Sequence, residues 1–279
     1  MIITVASGKG GTGKTTISTN LAVALDRPLD FLDCDVEEPN AHLFLKPTIT
    51  ASAEFQVEVP DIDMSRCTFC GKCQEICQFN ALAILPETAL TFPDLCHSCG
   101  GCFLVCPEDA VLPRRRTVGQ FEAGHRGPLV FAHGRLRVGE AMAPPLIRRI
   151  KQEANKHDLT IIDAPPGTSC PVVASLWGSD FVILVTEPTP FGLNDLELAV
   201  GVTRHLGIPC GLVINRSDLG DRRVHEYAGR ENLPILLEIP FDRQVAETYA
   251  QGGLLVDILP TWKRLMETLF INVNQALSC

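Results

Sequence analysis

The sequence predicts an α/β fold, a mostly parallel sheet with helices on both faces, into which a small α+β domain is inserted. Three observations carry this expectation. First, short apolar runs of strand length alternate with amphipathic stretches, the pattern of strands buried on both faces. Second, a glycine-rich loop, Gly8-Lys9-Gly10-Gly11-Thr12-Gly13-Lys14-Thr15, separates the first apolar run from the first helical stretch. Third, eight of the twelve cysteines fall in one segment, in two copies of C-x2-C-x2-C-x3-C, so that segment answers to a different constraint from the chain around it.

From Met1 to about Val59 the pattern reads as strand (Ile2 to Ala6), loop, helix (Lys14 to Leu25) and strand (Leu29 to Asp33), one β-α-β unit. From about His157 the alternation resumes, with strands at Leu159 to Ile162, Phe181 to Thr186, Cys210 to Ile214 and Ile235 to Ile239. Helices are expected near Asn194 to His205, Arg222 to Glu231, Arg243 to Gln251 and Thr261 to Ala276. The chain is therefore divided into residues 1–59 and 113–279, two parts of one α/β domain, around an insertion at 60–112. Between 113 and 156, Gly119, Gly124, Gly127, Gly134 and Gly139 punctuate alternating stretches, which predicts a hairpin leading into a helix around Pro145 to Lys156.

A net charge of −9 lacks the basic footprint of a nucleic-acid binder. The one basic spot, Arg114-Arg115-Arg116, reads as a solvated linker. No apolar run approaches the roughly 18 residues of a membrane span, and the first strand leaves no room for a signal peptide. A cytoplasmic protein without a membrane anchor is expected. In a reducing compartment its cysteines serve metal ligation better than disulfides.

The loop fits G-x-x-x-x-G-K-[ST] between a strand and a helix, the context a phosphate-binding loop needs. Backbone N–H groups from Gly8, Gly10, Gly11, Thr12 and Gly13 then turn towards phosphates, aided by the helix N-terminus that Thr15 and Thr16 open. Lys14 would contact the β and γ phosphates and the Thr15 hydroxyl would hold Mg²⁺, so a nucleotide is the expected ligand. The earlier lysine, Lys9, makes this box resemble the deviant Walker A of the MinD and ParA superfamily of ATPases. The resemblance covers most of the chain outside the insertion. It implies slow, partner-stimulated hydrolysis of ATP to ADP and phosphate, with Lys9 reaching across a nucleotide-sandwich dimer formed with a second copy or a paralogue.

Other positions match in order. Leu32-Asp33-Cys34-Asp35 resembles switch I, which gives Asp35 the attacking water and places Asp33 nearer the metal. Ile161-Ile162-Asp163-Ala164-Pro165-Pro166-Gly167 resembles Walker B with switch II, implying Asp163 in the Mg²⁺ shell and Gly167 at the γ-phosphate. Asn215 matches the asparagine that reads adenine, and Pro240 opens a segment like the family's loop beside the base. Any one of these aspartates reads as a strand-end or capping residue. Together, at the carboxyl ends of parallel strands, they read as a site.

Each cysteine of the first copy, Cys67, Cys70, Cys73 and Cys77, has its counterpart 29 residues later, at Cys96, Cys99, Cys102 and Cys106. This resembles the ligand run of bacterial ferredoxins with two [4Fe–4S] clusters, in which the fourth cysteine of each run serves the other cluster. The resemblance implies Cys67, Cys70, Cys73 and Cys106 for the first cluster, and Cys96, Cys99, Cys102 and Cys77 for the second. Zinc is the competing metal, although it does not need the third and fourth cysteines of each copy. Gln78 stands where the pattern has proline after Cys77, whereas Pro107 follows Cys106. That leaves the turn at Cys77 and the potential of the second cluster open.

Cys34, Cys210 and Cys279 read as packing or incidental. Cys170 follows Asp163 by seven residues, a position resembling that of a cysteine ligating an interface cluster in the nitrogenase iron protein. A third cluster of that kind needs a second cysteine where this chain offers Glu140, so a buried thiol is the competing reading.

Taken together, the chain resembles the MinD-superfamily ATPases that contain an inserted ferredoxin domain. The expected function is an ATP switch gating electron transfer to a redox partner protein or metal centre. The alternative is a maturation factor that assembles or inserts an iron–sulfur or other metal cofactor. A further alternative is spatial positioning, as in division-site and plasmid-partition relatives. That needs a membrane or DNA foothold, and the amphipathic stretch Trp262 to Val273 is expected to dock on the sheet instead.

Overall fold

The computed structural model describes residues 1–278; Cys279 lies outside the described residues. Its strands are β1 (Ile2–Ala6), β2 (Leu29–Asp33), β3 (Thr48–Ile62), β4 (Leu82–Leu85), β5 (Thr88–Thr91), β6 (Val111–Arg126), β7 (Leu129–Leu136), β8 (Thr160–Asp163), β9 (Phe181–Thr186), β10 (Cys210–Asn215) and β11 (Ile235–Ile239). Among the described residues nine strands form one sheet in the order β11-β10-β9-β1-β8-β2-β7-β6-β3, and β4 and β5 form a separate antiparallel pair. β1 lies parallel to β8 and β9, with Val5 opposite Asp163 and Ile183. β2 lies parallel to β8 and β7, with Asp33 opposite Asp163 and His133. This register brings the loop after β1 and two aspartates to one carboxyl edge, where open α/β sheets bind ligands.

The chain divides into two compact units. The first comprises Met1–Ser52, Phe121–Arg135 and the chain from Leu146 onward; the second comprises Ala53–Gln120 and Leu136–Pro145, and contains the cysteine segment.

In the first unit both sheet faces are apolar. Along β9, Phe181, Ile183 and Val185 join a core with Ile17 and Leu21 of the helix Lys14–Ala24, while Val182 and Leu184 meet Val172, Leu196, Val200 and Val224 on the other face. That two-sided burial is why these strands appear in the sequence as unbroken apolar runs. The helix Pro260–Leu277 buries Trp262, Met266, Leu269 and Val273 in the first of these cores. Each such side chain is worth about 1.5–3 kcal/mol of burial, so the amphipathic face is spent on the sheet, as the sequence suggests.

In the second unit the 29-residue repeat is a backbone repeat. Left-handed residues recur at Phe69 and Ser98, Gly71 and Gly100, and Asn80 and Asp109. Short helices Lys72–Ile76 and Gly101–Val105 follow the two glycines. Two elements differ from expectation. β3 spans 15 residues but is largely exposed up to Glu54, so its apolar content is too thin to mark a strand. β6 carries the three arginines: Arg114 and Arg115 are exposed, whereas Arg116 is largely buried, in a strand and not a solvated linker.

Candidate nucleotide site and cysteine hollows

Lys14, the first residue of its helix, is buried, and its N-cap Gly13 has φ of 98°. A side chain at Gly13 would meet Asn215 Nδ2 at 2.7 Å, so position and conformation both demand glycine. Asn215 Nδ2 donates to the Thr12 carbonyl at 2.9 Å and its Oδ1 accepts from Arg216 N at 3.0 Å. Asn215 thus braces the loop from β10. At the other end of the loop, a side chain at Gly8 would collide with the Asp195 backbone. The Thr15 hydroxyl donates to Asp163 Oδ2 at 2.6 Å. Asp33 accepts from Asp35 N at 3.1 Å and Ala41 N at 3.0 Å, and Gly167 N donates to the Ser7 carbonyl at 3.0 Å.

A cavity of about 400 Å³ is lined by Gly10, Gly11, Gly13, Lys14, Thr15, Thr16, Asp35, Asn215 and Pro240, with Phe241, Tyr249 and Trp262 as an aromatic wall. Its size suits a small-molecule ligand. Asp33 and Asp163 are buried and are not among the lining residues, nor are Gly8, Lys9, Thr12 and Gly167. Lys9 instead lies 3.4 Å from Glu187 Oε2, and Arg216 lies 2.9 Å from Glu187 Oε1. Glu187, nearly buried at the end of β9, escaped the sequence reading because it belongs to no motif. The aromatic wall escaped for the same reason.

Three carboxylates crowd one ammonium here. Burial pushes the Asp163 carboxyl up to about 7 and Asp35 up to about 6, each opposed by Lys14. Burial and the neighbouring Asp163 carry Asp33 well above the usual carboxylate range, and burial lowers Lys14 despite its acidic neighbours. Asp163 Oδ1 is buried without a partner among the described residues, next to the Thr15 hydroxyl that its other oxygen accepts from. Hard oxygen donors, surplus negative charge and an orphaned oxygen fit Mg²⁺, which takes one or two protein oxygens and completes its shell with water and phosphate. No group of three or more His, Cys, Asp or Glu side chains is gathered for a single metal ion among the described residues, and Mg²⁺ at a phosphate does not require one.

The cysteines line two hollows. Cys67, Cys70, Cys73 and Cys106 surround one; Cys77, Cys96, Cys99 and Cys102 surround the other. Each set takes three thiols from one run and the fourth from the other. Ala81 N donates to Cys77 Sγ at 3.3 Å and Ala110 N to Cys106 Sγ at 3.2 Å, one repeat apart, and Ser98 N donates to Cys96 Sγ at 3.4 Å. Despite Gln78, Cys77 has φ −77° and ψ 100°, close to the −74° and 113° of Cys106; the turn does not need the proline. Burial raises the Cys73 and Cys96 thiols and pushes Cys102 up to about 11, so a metal body entering either hollow displaces protons. Four soft donors spread around a hollow, with N–H groups aimed at sulfur, fit a cluster better than a point ion.

Cys34 and Cys210 are buried packing residues. Cys170, first residue of the helix Cys170–Leu176, is exposed, so the buried-thiol reading is corrected. The Glu140 side chain is buried and already committed, accepting from Arg116 NH1 at 2.5 Å, Arg116 NH2 at 3.2 Å and Met142 N at 3.0 Å.

A loop that wraps phosphates, acidic strand ends beside it and a brace from β10 are the parts of a P-loop nucleotide site. Residues 3–256 match the family described as the CobQ/CobB/MinD/ParA nucleotide binding domain, and the chain belongs to it; it is a P-loop ATPase. An uncharacterized protein of Methanocaldococcus jannaschii is 34% identical over 92% of this chain and 90% of its own length. An iron-sulfur cluster carrier protein of Aquifex aeolicus is 26% identical over 99% of this chain and 67% of its own. The fold is similar to that of the septum site-determining protein MinD of Pyrococcus horikoshii complexed with Mg-ADP, with a TM-score of 0.56 and 21% identity, covering 96% of this chain and 93% of that one. No described helix is long and apolar enough to cross a membrane.

Proposed function

We propose that this ATPase is a dimeric switch carrying two [4Fe–4S] clusters in an inserted ferredoxin-like domain, and that its nucleotide cycle gates electron transfer to a partner protein or metal centre. The observation that carries this reading is the crossed lining of the two hollows, because each hollow offers four thiols and no open ligand position, which suits retention of a redox cluster over its release. Cys67, Cys70, Cys73 and Cys106 would hold one cluster; Cys77, Cys96, Cys99 and Cys102 the other. When bound, the clusters supply one-electron chemistry.

At the nucleotide, the loop amides and Lys14 would bind phosphate, and Thr15 with Asp163 and Asp33 would hold or orient the Mg²⁺ shell. Asp35 would orient the attacking water, and Gly167 would sense the γ-phosphate. Lys9 would act on the nucleotide of a partner, a second copy or a paralogue. Asn215 and Pro240 would border the adenine. The chain runs from Asp35 through the helix Ala41–Leu45 into β3, whose later residues belong to the cysteine unit. Switch I is therefore linked along the chain to the cysteine unit by this segment, a route by which coupling would run.

A second reading, assembly or delivery of an iron–sulfur cofactor, is favoured by the similarity to iron-sulfur cluster carrier proteins. Iron and sulfide counted on the protein before and after many ATP turnovers, with an apo-acceptor present, separate the two. Retained iron supports the electron switch; ATP-dependent loss to the acceptor supports delivery.

A further inference from the structure

Lys9 and Lys14 stand near the two ends of the same loop, yet they face different neighbours. Lys14 lines the nucleotide cavity, whereas Lys9 does not and lies 3.4 Å from Glu187 Oε2. Glu187 is only 7% exposed and also stands, through its other oxygen, 2.9 Å from Arg216 NH1. One nearly buried carboxylate thus serves two cations from different parts of the fold.

The three groups are not held equally. Glu187 follows the last residue of β9, and its main chain is fixed from two sides: Thr189 N donates to the Glu187 carbonyl at 2.8 Å, and a side chain at Gly192 would come within 2.3 Å of that oxygen. Pro188, next in the chain, is packed so closely that a side chain at Gly220 would fall 1.7 Å from its carbonyl oxygen. The Glu187 backbone cannot follow a departing partner. Arg216 is fixed at its own backbone, with φ of 52° and its N–H on Asn215 Oδ1 at 3.0 Å. Lys9 has the longer contact and a side chain 32% exposed, in a loop between two glycines. Of the two cations, Lys9 is the one that can leave. Its departure does not strand a buried charge, the costly outcome of breaking such a pair, because Arg216 remains beside the carboxylate.

We propose that Glu187 is a positioning residue for ATP hydrolysis: in the single chain it holds Lys9, and Lys9 reaches a partner's nucleotide only by leaving that pair, with Arg216 staying to balance the carboxylate. The proposal rests on the reading that Lys9 acts on the nucleotide of a second copy. A polyphosphate draws the lysine away because it offers several anionic oxygens in place of one carboxylate edge. Hydrolysis is thereby tied to assembly, since a lone chain keeps this ammonium on its own Glu187. No covalent bond is made or broken in the exchange.

The test is anaerobic sedimentation of the whole chain over a range of concentrations, with Mg²⁺ and a non-hydrolysable ATP analogue, reading the dimer dissociation constant. A partly exposed ion pair is worth a factor of about 1.4 to 5 in an equilibrium, and a dimer opens two of them, so Glu187→Gln should tighten the dimer by about 2- to 25-fold. Glu187→Asp, which keeps the charge on a shorter stem, should fall between the native chain and the glutamine variant. In a Lys9→Ala background the same Glu187→Gln change should leave the constant where it was. A loosened fold would weaken the dimer, so tightening has no merely structural source. A Glu187→Gln dimer no tighter than the native one, or a gain that survives Lys9→Ala, overturns the proposal alone. A native chain that stays monomeric with the analogue at every concentration overturns the reading of Lys9 as well.

Discussion

In the nucleotide site, groups as far apart in sequence as Lys14, Asp35, Asp163 and Asn215 meet because parallel strands end at one edge. Each cysteine hollow, by contrast, is closed by residues drawn mainly from the stretch between Cys67 and Cys106, on turns set by left-handed residues one repeat apart. The first region spends buried charge where a charged guest would bind; the second spends local backbone geometry where a soft one would. Damage should therefore spread differently, with nucleotide-site substitutions changing electrostatics and cysteine-unit substitutions changing occupancy.

The largest expected effect is that of Lys14→Ala, which removes the ammonium facing the phosphates. Steady-state ATP hydrolysis should fall by about a hundredfold or more, while iron per chain stays native. Loss of iron as well would show that the two regions are not independent. Next, Cys106→Ala and Cys67→Ala should each abolish the same cluster signal and cut iron from about eight to about four per chain, and Cys77→Ala should abolish the other signal. A signal lost in common by Cys106→Ala and Cys96→Ala, instead, would break the crossed assignment.

The charge surplus predicts a pH dependence. Burial raises Asp35 to about 6 and Asp163 to about 7 in the folded chain, above the ordinary carboxylate value of about 3.9. Their contribution to stability is therefore complete below the unfolded value and is lost as pH rises to about 7. Mg²⁺ favours the ionised forms, so it must displace protons at low pH and few above 7. The rise in Tm produced by Mg²⁺ with ADP should be larger at pH 7.5 than at pH 5.5; an equal rise at both would remove these carboxylates from the metal site.

The smallest effects come from two glycines. Gly71→Ala, at φ 80° with open space around it, should cost about 1–2 kcal/mol in urea unfolding, from conformation alone. Gly13→Ala adds the 2.7 Å collision with Asn215 and should cost more. Equal costs would mean that the Asn215 brace yields freely.

The same contrast decides what could be read in the sequence. Strands buried on both faces announced themselves, and β9 and β11 run between the expected residues, Phe181–Thr186 and Ile235–Ile239. β3 did not, because Thr48 to Glu54 face solvent and, Ile49 apart, carry small or polar side chains. In the candidate site, the loop was legible through its spacing, and the aspartates through their resemblance to switch I and Walker B. Glu187 was invisible because a carboxylate earns its place there only by proximity to Lys9 and Arg216. Arg116 was misread because a run of three arginines does not reveal that the third one is buried against Glu140.

The central claim is that nucleotide state governs the clusters. It is tested most directly by anaerobic midpoint titration of the native protein with Mg-ADP and with a non-hydrolysable ATP analogue. Two [4Fe–4S] signals, at least one of which shifts its midpoint between the two nucleotides, are the predicted result. Two signals with identical midpoints in both states would contradict it.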